Sequence, residues 1–160
     1  MVASTLVIDA MSNGVSTVIG RGGLATLTDE DPVADEVRPV GDYLYEPDGA
    51  VIRAGLVTAV AAGVGGGLVD PHIAYVTSDQ AFRSPFARGY RVVEELPYRE
   101  KQLKAALRER GVGRLTIKKR GVDVVPEDLR KRLSLSGDAE ATLVMTRVAG
   151  SGTALLVQPL

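Results

Sequence analysis

The sequence predicts an α+β fold: a two-layer sandwich with helices on one face of a mixed sheet. Three observations lead there. From residue 90 onward, β-prone runs alternate with short amphipathic segments in the order β-α-β-α-β-β. A β-hairpin pattern and a strongly apolar helical stretch precede that core. The 160 residues, 45% of them hydrophobic, suffice to bury a proper core in one domain or slightly more.

Taken in order, Leu6-Val7-Ile8 and Val15 to Ile19 are β-branched runs separated by Ser12-Asn13-Gly14, and Asn-Gly is a strong hairpin signal. Gly20, Gly22 and Gly23 read as turn glycines, because their G-x-G-G spacing has no helix after it. Thr28 to Pro39, TDEDPVADEVRP, is acidic and proline-bounded, which reads as a linker. The expected division is therefore 1–40, hairpin and linker, and 41–160, the α+β domain.

Asp48 can cap a helix starting near Gly49, which Gly63 to Gly67 would end. Between Ala50 and Ala62 only Arg53 and Thr58 are polar, so this helix needs burial on most sides. Ile73 to Thr77 reads as a strand, Ser78 to Arg88 as a loop and Tyr90 to Leu96 as a second strand. Glu100 to Arg110 carries Leu103, Ala106 and Leu107 at helical spacing and stops at Gly111. Arg114 to Lys119 is a third strand. Pro126-Glu127-Asp128 suits a first helical turn, which places a helix to about Leu133. Ala141 to Val148 and Ala154 to Gln158 close the chain around Gly150-Ser151-Gly152.

Composition excludes several functions. Without cysteine there are no disulfides, thiolate nucleophiles or cysteine-based zinc sites, which fits a cytoplasmic setting. No uncharged apolar run reaches the roughly 18 residues of a spanning helix, so no membrane association is expected. The amino end, MVASTLVIDAMSNG, lacks a basic head and carries Asp9, unlike a signal peptide. His72 is the single imidazole and Asp70 its one nearby carboxylate, too few for a metal site or a Ser-His-Asp triad. Asp70-Pro71-His72-Ile73 lacks the second proline and the aromatic face of an amine-methylating motif. Glu94 and Glu95 adjoin in a strand and so face opposite ways. No catalytic or metal site is therefore expected in this chain.

Charge is the informative feature. Net charge is −1, yet residues 1–79 carry −8 and residues 80–160 carry +7. Residues 83–132 alone hold 15 Arg and Lys against 7 Asp and Glu. In GRLTIKKRG, Arg114, Lys118 and Arg120 alternate to one strand face and Lys119 to the other. Lys101, Lys104 and Arg108 form one stripe of the preceding helix. If both stripes share a surface, they attract a polyanion such as RNA. Otherwise they are a solvated helix face and a protected sheet edge.

The blocks YLYEPDGAVIRAGLV, LVDPHIAYVTSD, SPFARGYRVVEELPY, ALRERGVGRLTIKKRGVDVVPEDLRKRL and TLVMTRVAG resemble the THUMP-like carboxyl-terminal domain of bacterial class I S-adenosylmethionine-dependent methyltransferases, over residues 40–158. The resemblance implies an RNA-binding, substrate-recruiting accessory domain. Its catalytic Rossmann-like part, with the S-adenosylmethionine site, is expected in cis or in trans, since no cofactor-binding strand and glycine loop precede residue 40. The chain alone is expected not to be catalytic and to hold no cofactor. A homodimer, or contact with the catalytic part, is expected through the apolar helix 50–62. The alternatives are a protein-interaction module whose basic face docks an acidic partner domain, and a methyltransferase with an unrecognised cofactor site.

Overall fold

The computed structural model describes residues 6–10, 15–19 and 25–160. Three short strands, β1 (Leu6–Ala10), β2 (Val15–Ile19) and β3 (Thr26–Thr28), pair antiparallel in that order. The two strands of the expected hairpin are thus paired. The Asn13-Gly14 turn and Gly20, Gly22 and Gly23 lie outside the described residues.

The larger sheet has seven strands: β4 (Tyr43–Pro47), β5 (Gly67–Asp70), β6 (Ile73–Ser78), β7 (Ala87–Leu96), β8 (Val112–Lys119), β9 (Ala139–Val148) and β10 (Ser151–Pro159). Their order is β5-β6-β4-β7-β10-β9-β8. Only β8 and β9 pair parallel, so the sheet is mixed. Four helices accompany it: α1 (Gly49–Arg53), α2 (Val57–Gly63), α3 (Glu100–Glu109) and α4 (Pro126–Leu133). From β7 onward the order is β-α-β-α-β-β, as the residue pattern predicts.

Local chemistry accounts for the helix ends. Pro126 opens α4, Glu127 and Asp128 occupy its first turn, and Arg130, Lys131 and Arg132 its last, which matches both ends of the dipole. Two details correct the sequence reading. The single helix expected over Ala50 to Ala62 is two short helices, broken where Gly55 takes φ +72°, a left-handed conformation that glycine adopts without penalty. The glycine run after it is only partly a helix stop, because Gly67 begins strand β5. A Cβ on Gly66 would strike the carbonyl of Thr77, so this glycine permits close backbone packing.

Side-chain alternation puts all four helices on one face. Tyr45, Leu68 and Val76 pack with Val51, Ala59 and Val60 of α1 and α2. Leu115, Ile117, Leu143 and Ala154 pack with Leu103, Leu107, Leu129 and Leu133 of α3 and α4. A β-bulge in β7 opposite Leu156/Val157 keeps both groups on the same side. Ala50, Val51, Leu56, Ala59, Val60 and Ala61 of the 50–62 segment thus serve the chain's own core.

The opposite face closes on itself. Leu44, Val69 and Tyr75 from one end of the sheet pack directly against Val144, Leu155 and Val157 from the other. The sheet is therefore curled into a gutter. Its closing edge is fastened by the Ala149 N–H, which donates to the Val69 carbonyl at 2.9 Å, and by the Gly150 N–H, which donates to Asp70 Oδ2 at 2.8 Å. Asp70 Oδ1 accepts from the His72 N–H at 2.9 Å. Asp70 is thus a buried fastener of two turns, and His72 is exposed beside it.

The acidic segment after β3 runs along the β5 edge. Arg38 N–H donates to Leu68 O at 2.9 Å, Leu68 N–H to Glu36 O at 2.8 Å, and Val37 bridges Leu68 in parallel. No helix among the described residues is long and apolar enough to cross a membrane.

Candidate nucleic-acid interface

The curl decides where each cation goes. On β8, Leu115 and Ile117 face the helices, so Arg114, Thr116 and Lys118 face the hollow of the gutter. Lys101, Lys104 and Arg108 sit on the side of α3 opposite its buried Leu103 and Leu107, at the outer surface of the helix layer. The two stripes therefore do not share a plane; the body of the sandwich lies between them. This corrects the expectation of one surface. The register pairs Lys119 with Met145, which packs under the helices, so Lys119 is the β8 cation on the side of the α3 stripe.

The hollow-facing cations are largely engaged. Lys118 Nζ contacts Glu46 Oε1 of β4 at 3.0 Å and lies 5.6 Å from the centre of the Tyr90 ring. Burial disfavours its charge, but the hydrogen bonds to Tyr90 and Glu46 outweigh that effect and raise its pKa. Arg120 lies half-buried over the Tyr75 ring, 5.6 Å from its centre, and its carbonyl accepts from Thr146 Oγ1 at 2.8 Å. Burial, followed by the negative charge of Glu46, raises the Tyr75 phenol well above its ordinary value, so it stays neutral. Arg114 meets Glu140 at 3.2 Å, but both side chains are mostly exposed and such a pair holds weakly.

The helix layer is different. Arg110 binds Glu94 through two hydrogen bonds, 2.8 and 2.7 Å, and Arg132 meets Glu100 at 2.8 Å. The Arg110 hydrogen bonds hold the Glu94 carboxyl below its ordinary range. Glu94 therefore braces the end of α3, while Glu95 faces the other way and is exposed, as strand alternation requires. Lys101, Lys104, Arg108 and Lys119 have no ion pair among the described residues, and Lys101, Arg108 and Lys119 are exposed.

The residue pattern did not reveal a second basic place. The 80–86 loop, the carboxyl end of β10 and the hollow of β7 to β9 enclose a cleft of about 840 Å³, lined by Phe82, Arg83, Arg88, Thr116, Lys118 and Thr142 among others. Tyr45 positions its loop: the phenol donates to Gln80 O at 2.6 Å and accepts from the Phe82 N–H at 2.8 Å. The signal available in the sequence was RSPFAR, residues 83–88, an arginine on each side of a proline-containing stretch.

Comparison with known proteins agrees with this architecture. Residues 87–159 match the THUMP domain-like family. The chain is 40% identical over 125 residues to an uncharacterized S-adenosylmethionine-dependent methyltransferase of Mycobacterium tuberculosis, in strain CDC 1551 / Oshkosh and equally in strain ATCC 25618 / H37Rv. That match covers 78% of this chain and 34% of the relative, so the chain spans about a third of the length of the curated relatives it matches. The crystal structure of a candidate methyltransferase from Porphyromonas gingivalis W83 superposes with a TM-score of 0.65 at 26% identity, covering 85% of this chain and 35% of that one. Residues 87–159 are thus a THUMP-like domain, in a chain similar over most of its length to one part of longer S-adenosylmethionine-dependent methyltransferases.

Proposed function

We propose that this chain is an RNA-binding accessory part of an S-adenosylmethionine-dependent RNA methyltransferase, which presents substrate to a catalytic part on the remainder of the protein or on another chain, in the cytoplasm. The observation that carries this reading is the row of cations on the outer face of α3, Lys101, Lys104 and Arg108, which have no ion pair among the described residues, with Lys119 on the same side of the sheet. Cations that have no carboxylate to leave can exchange small counterions for phosphates, and that exchange drives association with a polyanion. Arg114 faces the other side of the sheet in a weak pair with Glu140 and contributes little, whereas Lys118 and Arg120 serve mainly to hold the gutter. The cofactor belongs with the catalytic part; in this chain Gly66 and Gly67 pack closely on the backbone of Thr77 and Glu36.

Binding of structured RNA, measured from 50 to 300 mM salt, tests the proposal. The affinity should fall linearly on a log-log plot with a slope of about −2 to −4, one unit for each phosphate engaged. A slope near zero would refute it.

A second reading gives the same surface an acidic protein partner. The contact of Lys118 with Glu46 favours it, because there the acidic half of the chain already meets the basic half. Association that survives nuclease treatment would select this reading.

A further inference from the structure

The cleft beside the 80–86 loop lies on the gutter side, away from the α3 stripe, and has a chemistry of its own. Its volume of about 840 Å³ falls within the range of roughly 300–1,000 Å³ usual for small-molecule sites. Arg83 and Arg88 are exposed at its rim and have no ion pair among the described residues, while Lys118 lies deeper and is paired with Glu46. Glu46 also stands directly opposite Arg88 in the β4–β7 register. Arg83 and Arg88 thus place two guanidiniums without an ion pair, among the described residues, at one rim. Thr116 and Thr142, themselves cross-strand partners, add hydroxyls to the lining. The loop presents Phe82, an aromatic ring left 48% exposed, although its backbone N–H is fixed by the buried Tyr45. Leu160 adds a second exposed apolar side chain to the same wall.

From this geometry we infer that the cleft is a binding site for a phosphate monoester carried on a flat aromatic group, such as a nucleoside 5′-monophosphate. The two rim guanidiniums favour the monoester. A monoester carries about −1.5 to −2 near neutral pH, which suits the two guanidiniums at the rim, whereas each internal diester of a nucleic acid carries −1. Arg83 and Arg88 supply planar donor forks for its oxygens. Phe82 supplies a face on which a base can stack. Neither role uses the α3 stripe, so this inference and the RNA-binding proposal stand or fall separately. The shared chemistry admits two sources, a free nucleotide or the phosphorylated 5′ end of an RNA strand.

Titration calorimetry of the purified chain with adenosine 5′-monophosphate and with adenosine tests it, beside 5′-phosphorylated and 5′-hydroxyl forms of one short oligoribonucleotide. At least one monoester should bind 10-fold or more tightly than its unphosphorylated twin, and the pair that shows the difference names the source. Arg83→Ala and Arg88→Ala should each weaken monoester binding about 5-fold or more. Phe82→Ala should weaken the nucleotide and leave inorganic phosphate unaffected. All three side chains are exposed, so the variants should keep the far-ultraviolet circular dichroism of the parent. Reversal of Lys101, Lys104 and Arg108 to Glu should leave monophosphate binding unchanged. Equal binding of phosphorylated and unphosphorylated forms, or arginine variants that bind as well as the parent, would overturn the inference.

Discussion

Lys118 on β8 and Glu46 on β4 meet at 3.0 Å although four steps of the sheet order separate their strands. At the usual strand spacing those steps span ~19 Å in a flat sheet. The pair therefore records how strongly the gutter curls, and it links the acidic half of the chain to the basic half. Both side chains are less than a third exposed, which puts the contact between a surface pair, worth under about 1 kcal/mol, and a buried one. A double-mutant cycle of Glu46→Gln and Lys118→Met, followed by chemical denaturation, should return a coupling of about 1 kcal/mol. Full additivity would show that the contact is incidental.

The same pair sets an alkaline dependence. The Lys118 pKa is raised in the folded chain, so its contribution to stability is fully present below the ordinary lysine value of 10.5 and is lost as pH climbs through the raised value. Denaturation midpoints of the parent should therefore fall more steeply than those of Lys118→Met above that pH. Parallel curves would remove Lys118 as the cause.

Gly55 separates two accounts of the 49–63 segment by sign. With φ +72° and open space around an added Cβ among the described residues, Gly55→Ala meets mainly the backbone penalty and should destabilise by about 1 kcal/mol, or about 2–4 °C in Tm. In a continuous helix the same change would stabilise by a similar amount. Calorimetric Tm values decide between them.

The β9–β10 turn places Ala149 at φ 47° ahead of Gly150 at φ 83°, the backbone of a tight hairpin that favours Asn-Gly. Ala149→Asn should raise stability by about 0.5–1 kcal/mol. A lower Tm would mean that the turn is held by other forces.

Tyr45 is buried, and its phenol both donates to Gln80 O and accepts from the Phe82 N–H. Tyr45→Phe should cost about 1–2 kcal/mol and speed amide exchange at residues 80–83, because the loop is released from both hydrogen bonds. Unchanged exchange there would show that the loop is fixed by other means.

What could be read from residue order follows periodicity. The helix from Pro126 to Leu133 is announced by its proline, its acidic first turn and its basic last turn, and the observed bounds coincide with that reading. Strand β5 was hidden because all four of its residues are buried, which erases alternation, and because Gly67 resembles the end of the preceding helix. Strand β4, YLYEP, was absorbed into the approach to α1. Alternation assigned the β8 cations correctly to two faces, with Lys119 opposite Arg114 and Lys118. It could not show that α3 lies over the Lys119 face, nor that the other face folds inward to reach Glu46. Those are properties of sheet curvature, set by contacts between residues some 70 positions apart. The Arg83–Arg88 cleft was missed for the same reason, since its walls come from the loop, three strands and the carboxyl end.

The central claim is that RNA meets the outer face of α3. The most direct measurement compares RNA binding by the parent, by Lys101→Glu/Lys104→Glu/Arg108→Glu and by Arg114→Glu at two salt concentrations. The helix triple variant should bind at least 10-fold more weakly at low salt and show a slope flatter by about one unit for each phosphate it no longer engages, while Arg114→Glu changes affinity about 3-fold or less. An unchanged triple variant would contradict the claim.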